Sequence, residues 1–286
     1  MPPNATRVCE WLTESQAFAE FARASGTIIQ SQGHIKPLHW YVACRLVVEG
    51  GFLPNDITPR PPFEATKAGN HYRLLSRPDL ATGTEATVFG GMKSKNIDVV
   101  ISMRGIGPVL AISCKGTVGA YRNLTNRMEE AIGDCTNIHT AYPALVYGFI
   151  SLIKANTGPL ATGNDIAIDS SGAVVTAIRR YHLALANLSG RKWLRDDPSA
   201  YEAAALVMVD MADPTLGIVY DKFPDTGGTA HFSSFFRTLY TRYDERFVYN
   251  APDMLSVTAR RQWASDSPAL KDFNSTSYGY EAREAD

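Results

Sequence analysis

The run ALVYGFISLI, residues 144 to 153, holds no charged residue. Its apolar groups occupy both alternating faces and β-formers dominate it, so it reads as a strand buried on both sides. Such a strand needs packed layers above and below, which restricts the chain to a sheet enclosed by other elements. It is also too short to cross a bilayer.

The neighbouring segments supply those layers. TEATVFG, NIDVVISM and PVLAISCKG read as strands between residues 83 and 116, with RGIGP as the turn between the last two. NLTNRMEEAIGDCTNIH follows as a helix, with Leu124, Met128, Ala131, Ile132 and Cys135 on one stripe. From NIDVVISM onward the order is therefore β-β-α-β. Upstream, residues 6 to 24 and 34 to 52 read as packed helices, the second stopped by Gly50-Gly51. The Pro-rich DITPRPPFEATKAGN then places a soft boundary near residue 70, between an N-terminal helical region (1–70) packed on the core and a larger unit (71–286), or within a single domain. Downstream come a helix at 173–189, a strand pair at 203–221, a helix at 233–246 and a polar tail beyond about 265. The expected fold class is α/β, with a central mixed β-sheet flanked by helices.

Composition limits the partners. With 28 basic and 29 acidic residues the chain has no basic coat, so any anion-binding surface must be local. The cysteines at 9, 44, 114 and 135 form no CxxC pair, which argues against structural zinc or a disulfide scaffold and for a reducing cytoplasm. The opening residues lack a basic start followed by an apolar run, so neither export nor membrane insertion is expected.

The segment IDVVISMRGIGPVLAISCKG, residues 97 to 116, carries Asp98 near its start and Lys115 near its end on an otherwise largely apolar hairpin. A carboxylate entering a core is costly unless paired or metal-bound. Cleaving a phosphodiester needs a divalent cation held by carboxylates, a group that orients or deprotonates water, and positive charge at the phosphate. Asp98, Lys115 on the adjacent strand and a carboxylate from the next helix can converge at one end of a sheet. The carbonyl of Cys114 offers a further ligand, because Mg²⁺ accepts oxygen of any origin.

This arrangement resembles the PD-(D/E)xK nuclease superfamily, which includes many restriction endonucleases and places such an Asp and Lys on neighbouring strands. Two positions depart from the pattern: Ile97 stands where a Pro usually precedes the Asp, and Ser113 stands where an acidic residue usually lies two before the Lys. A subgroup typified by cutters of CCGG-containing sites has Ser-x-Lys and recovers the carboxylate from the next helix. The corresponding residue here, fourteen beyond Lys115, is Glu129. The resemblance covers about residues 35 to 155 and implies a restriction-endonuclease-like core with Mg²⁺ as cofactor. It makes Asp98 and Glu129 metal ligands together with the Cys114 carbonyl, and has Lys115 position or activate water. Ser113 would add a hydrogen bond or a water-mediated metal contact. Double-stranded DNA is the implied partner, cut by a homodimer because two strands need two sites.

Competing assignments remain for several residues. Glu130 lies three residues after Arg127 and suits a surface pair, which leaves Glu129 as the better metal ligand. Glu49 beside Gly50 is either an exposed helix end or an acidic group near the metal. Cys114 and His139 as a thiol nucleophile and base would need contact with a third orienting group, and the sequence carries neither a nucleophile elbow nor a Cys-protease signature. Lys93, Lys95, Arg104, Arg122, Arg127, Arg191 and Arg246 are among the candidates for DNA contact. The expected activity is that of a Mg²⁺-dependent type II site-specific deoxyribonuclease. The alternative is a catalytically inactive DNA-binding or assembly protein that keeps the same core.

Overall fold

The computed structural model describes residues 7–24, 33–83, 85–119, 121–158, 163–212 and 214–285. Helix α1 (Glu14–Arg23) opens on a reciprocal cap: the Thr13 hydroxyl accepts the Gln16 amide, and the Gln16 side chain accepts the Thr13 amide. Helix α2 (Lys36–Val48) is buried at every position from Pro37 to Val48. It ends where Gly51 takes φ +73°, a left-handed conformation that favours glycine. The stretch read as a separator instead holds β1 (Ile57–Thr58) and β2 (Phe63–Ala68), the first strand of a hairpin completed by β3 (His71–Ser76). The boundary near residue 70 thus falls in a hairpin turn, where Ala68 faces His71.

A second hairpin, β4 (Ala86–Phe89) and β5 (Ser94–Ile97), leads into β6 (Val99–Met103). β6 pairs antiparallel with β7 (Gly107–Thr117). The chain crosses through α3 (Leu124–Ala141) to β8 (Val146–Lys154), parallel to β7, and through α4 (Thr176–Asn187) to β9 (Ala203–Val209), parallel to β8. The central sheet has the order β1-β6-β7-β8-β9 and mixes both pairings.

Side-chain alternation assigns the layers. Val99, Ile101, Ile112 and Ile150 face α1, α2 and a later helix, α5 (Phe232–Tyr243). Val100, Ala111, Phe149 and Ile153 face α3 and α4. Every residue of β8 and β9 is buried, as parallel strands covered on both faces require. The architecture is α/β with a five-stranded mixed sheet between helical layers, compatible with a restriction-endonuclease-like core. No helix among the described residues is long and apolar enough to cross a membrane.

Two expectations for the second half change. The strand pair at 203–221 yields one strand, β9, and beyond it, among the described residues, an isolated bridge between Val209 and Val219. The tail beyond 265 is packed, with Leu270 and Tyr280 buried and the Tyr41 hydroxyl donating to the Tyr278 carbonyl at 2.7 Å. Its apolar groups are scattered aromatics without a helical or strand period, and a pattern-based reading takes such a segment for polar coil.

Candidate functional site

β6 begins at Val99, opposite Ile112, whereas β7 runs on to Thr117. Cys114 to Thr117 therefore keep β8 partners on one side and have no β6 residue on the other. A buried amide at that notch needs an acceptor. Asp98, at the bend between β5 and β6, supplies it: Oδ2 accepts the Cys114 N–H at 2.7 Å. The N–H and C=O of one strand residue point to the same side, so the Cys114 carbonyl also faces the notch. Lys115 Nζ lies 3.6 Å from Asp98 Oδ2, with its side chain one-third exposed. The structure thus brings Asp98, Lys115 and the Cys114 backbone together.

Two residues that sequence reasoning missed complete the cluster. β4 and β5 pair Ala86 with Ile97, and one further step of that register sets Glu85 opposite Asp98. His39, in the first turn of α2, brings Nε2 to 3.6 Å from Asp98 Oδ1. Donor atoms of His39, Glu85 and Asp98 all lie within 4.8 Å of one another. His39 is fully buried, and burial pushes its imidazole below the ordinary pKa against the opposing pull of Asp98 and Glu85. Among the described residues its Nε2 has no hydrogen-bond partner, an arrangement that costs roughly 1–3 kcal/mol for a buried polar atom.

Glu85, Lys93, Ser94, Lys95, Asn96, Asp98 and Lys115 line a cleft of about 450 Å³ open to solvent. Two carboxylates, a strand carbonyl facing the notch and an unpartnered imidazole nitrogen form a donor set that fits a divalent cation. The ammonium of Lys115 beside them adds positive charge to the cleft.

The other predicted residues lie elsewhere. Glu129 is exposed on α3 and is not among the cleft-lining residues, because Leu124, Met128, Ala131 and Cys135 turn the opposite side of that helix to the sheet. Glu130 pairs with Arg127 at 3.0 Å, as a surface pair should. Ser113 is buried and its hydroxyl lies 2.8 Å from the Tyr147 hydroxyl, a core contact that occupies the group expected to serve the metal. Glu49 caps the far end of α2, bonded to Arg45 and to the Tyr240 hydroxyl. Ten residues of helix, at about 1.5 Å each, separate it from His39.

The Cys114 thiol is buried and pushed well above the ordinary value by burial and by Asp98, which removes it as a nucleophile. His139 stands against Glu202 and Cys135 instead. Arg191 and Arg246 are buried and both reach Glu202 at 2.7 Å, so neither is a DNA-contacting surface group. Lys95 pairs with Asp134 of α3 at 2.5 Å, while Lys93 is exposed at the cleft. The Arg122 side chain lies outside the described residues.

Glu85 carried a readable signal. TEATVFG and NIDVVISM are strand-like runs either side of Gly90-Gly91, and a hairpin folded there aligns Glu85 with Asp98. His39 carried none, since a histidine inside an apolar helix is more often a satisfied core group. Comparison with known protein families, with curated proteins and with solved structures gives no match to this chain.

Proposed function

We propose that the chain is a divalent-cation-dependent phosphodiesterase acting on double-stranded DNA, a type II site-specific endonuclease. The observation that carries this reading is the convergence, where β6 stops and β7 continues, of Asp98, Glu85 and Lys115 in one open cleft.

Asp98 and Glu85 would hold the cation with the Cys114 carbonyl, and Mg²⁺ suits those oxygens. When bound, the cation supplies positive charge to the reacting phosphoryl group and acidifies bound water. Lys115 orients the attacking water or stabilises the charge that develops on the phosphate oxygens, from a position fixed by the Asp98 carboxylate. Asp98 also acts structurally, because by accepting the Cys114 amide it holds the strand end in register with the bend. In-line attack leaves a 5′-phosphate and a 3′-hydroxyl. Lys93, exposed where it lines the cleft, would contact a phosphate of the duplex backbone. A palindromic target would call for a symmetric dimer.

The test is conversion of supercoiled plasmid to nicked and linear forms with Mg²⁺ and with a chelator. Cleavage that needs the cation and disappears in Lys115→Ala supports the reading. Duplex binding without cleavage over a broad target set would instead support the inactive DNA-binding protein.

A further inference from the structure

The oxygen donors of the cleft account for any hard divalent cation; they leave His39 unexplained. It projects from the first turn of a helix buried along its length, and its Nε2, 3.6 Å from Asp98 Oδ1, lacks a hydrogen-bond partner among the described residues. One ring nitrogen of His39 lies within 4.8 Å of a Glu85 and an Asp98 oxygen, a spread that closes on one ion with a small inward shift, since ligands at about 2.0–2.2 Å from a shared ion stand no more than about 4.4 Å apart. A nitrogen ligand matters for selectivity. Mg²⁺ takes oxygen donors and keeps its waters, whereas first-row transition ions bind imidazole readily, and Mn²⁺ accepts both donor types.

We infer that His39 is a direct nitrogen ligand of the cation held by Asp98 and Glu85, and that it makes the cleft a site that prefers Mn²⁺ to Mg²⁺. This rests on the cation-site half of the reading above and is independent of the substrate. The site is then semi-enclosed: one ligand comes from the helical layer, one from the β4–β5 hairpin and one from the bend before β6. The cleft lined by Lys93, Ser94, Asn96 and Lys115 leaves the site open to an incoming phosphate.

The experiment uses the full chain without DNA. Mn²⁺ and Mg²⁺ are titrated by calorimetry, and the Mn²⁺-loaded protein is examined by pulsed electron paramagnetic resonance for coupling to a directly bound nitrogen. The wild type is expected to bind Mn²⁺ about tenfold or more tightly than Mg²⁺ and to show the nitrogen coupling. His39→Leu should lose that coupling and weaken Mn²⁺ binding by about 10- to 100-fold while changing Mg²⁺ binding far less. Glu85→Gln should weaken both ions alike. Equal affinity for the two ions, absence of nitrogen coupling in the wild type, or no binding of either ion would overturn the inference. The spectrum of the wild type decides it even if His39→Leu does not fold. Mn²⁺ binding with nitrogen coupling but no DNA cleavage would keep this inference and remove the nuclease reading.

Discussion

Among single residues, Asp98 and Ser113 separate chemical from structural roles. Asp98→Asn can still accept the Cys114 amide, so the fold should persist while cleavage falls by at least the roughly 100- to 1,000-fold typical of removing one preorganised electrostatic group. Lys115→Ala should cost a similar factor. Ser113→Ala should leave the cleavage rate unchanged and lower stability by about 1 kcal/mol, because it strips the buried Tyr147 hydroxyl of its partner. Plasmid cleavage rates and urea unfolding of the three variants check these outcomes. Asp98 and Lys115 were legible from the sequence, since a charge on an apolar strand needs a reason. Glu129 was not correctable from the sequence, because only the packed helix reveals which side of α3 meets the sheet.

Among the elements, the β4–β5 hairpin carries Glu85 to the site, and α3 fixes that hairpin. Asn137, wholly buried on α3, accepts the Met92 and Lys93 amides through Oδ1 at 2.8 and 3.1 Å and donates Nδ2 to the Lys93 carbonyl at 2.9 Å. Its backbone carbonyl also accepts the Gly91 amide. A Cβ on Gly90 would collide with the Asn137 side chain, so the glycine is needed for this close approach. Asn137→Ala should therefore cost about 2–3 kcal/mol, the sum of a few hydrogen bonds left open in a buried turn. It should also slacken Glu85 and reduce cation affinity, which calorimetry and chemical denaturation together measure. The order β-β-α-β across β6, β7, α3 and β8 followed from periodicity, because these elements are long and each buries a regular face. The hairpin β2–β3 did not, since prolines before Phe63 outweighed a short alternating run in a pattern-based reading.

Across the whole molecule, a buried charge cluster away from the cleft ties the sheet to its flanking segments. Glu202 receives the Tyr147 amide at 2.6 Å and pairs with Arg191 and Arg246, with His139 Nε2 at 3.4 Å. Burial works against its ionisation, yet His139, Arg246 and the Tyr147 amide outweigh it and hold its pKa at about 2, below the usual 4.5. A folded-state value below the unfolded one stabilises the fold above pH 4.5, and that contribution is lost as pH falls through about 2. Glu202→Gln should lower stability at neutral pH by about 3–5 kcal/mol, because two guanidinium groups lose a buried partner. Its unfolding midpoint should also change less between pH 4.5 and 2 than that of the wild type. The α/β sandwich was foreseeable from one uncharged strand. The charge cluster was not, because Glu202 and its partners are far apart in sequence and meet only once β8 and β9 pair.

In the proposed site the second carboxylate comes from the hairpin before Asp98, not from the helix after Lys115. Single-turnover plasmid cleavage by Glu85→Gln and Glu129→Gln, at saturating cation and equal protein, is the decisive measurement. Glu85→Gln is expected to lose cleavage and Glu129→Gln to cut at the wild-type rate; loss in Glu129→Gln with cleavage retained in Glu85→Gln would contradict that assignment.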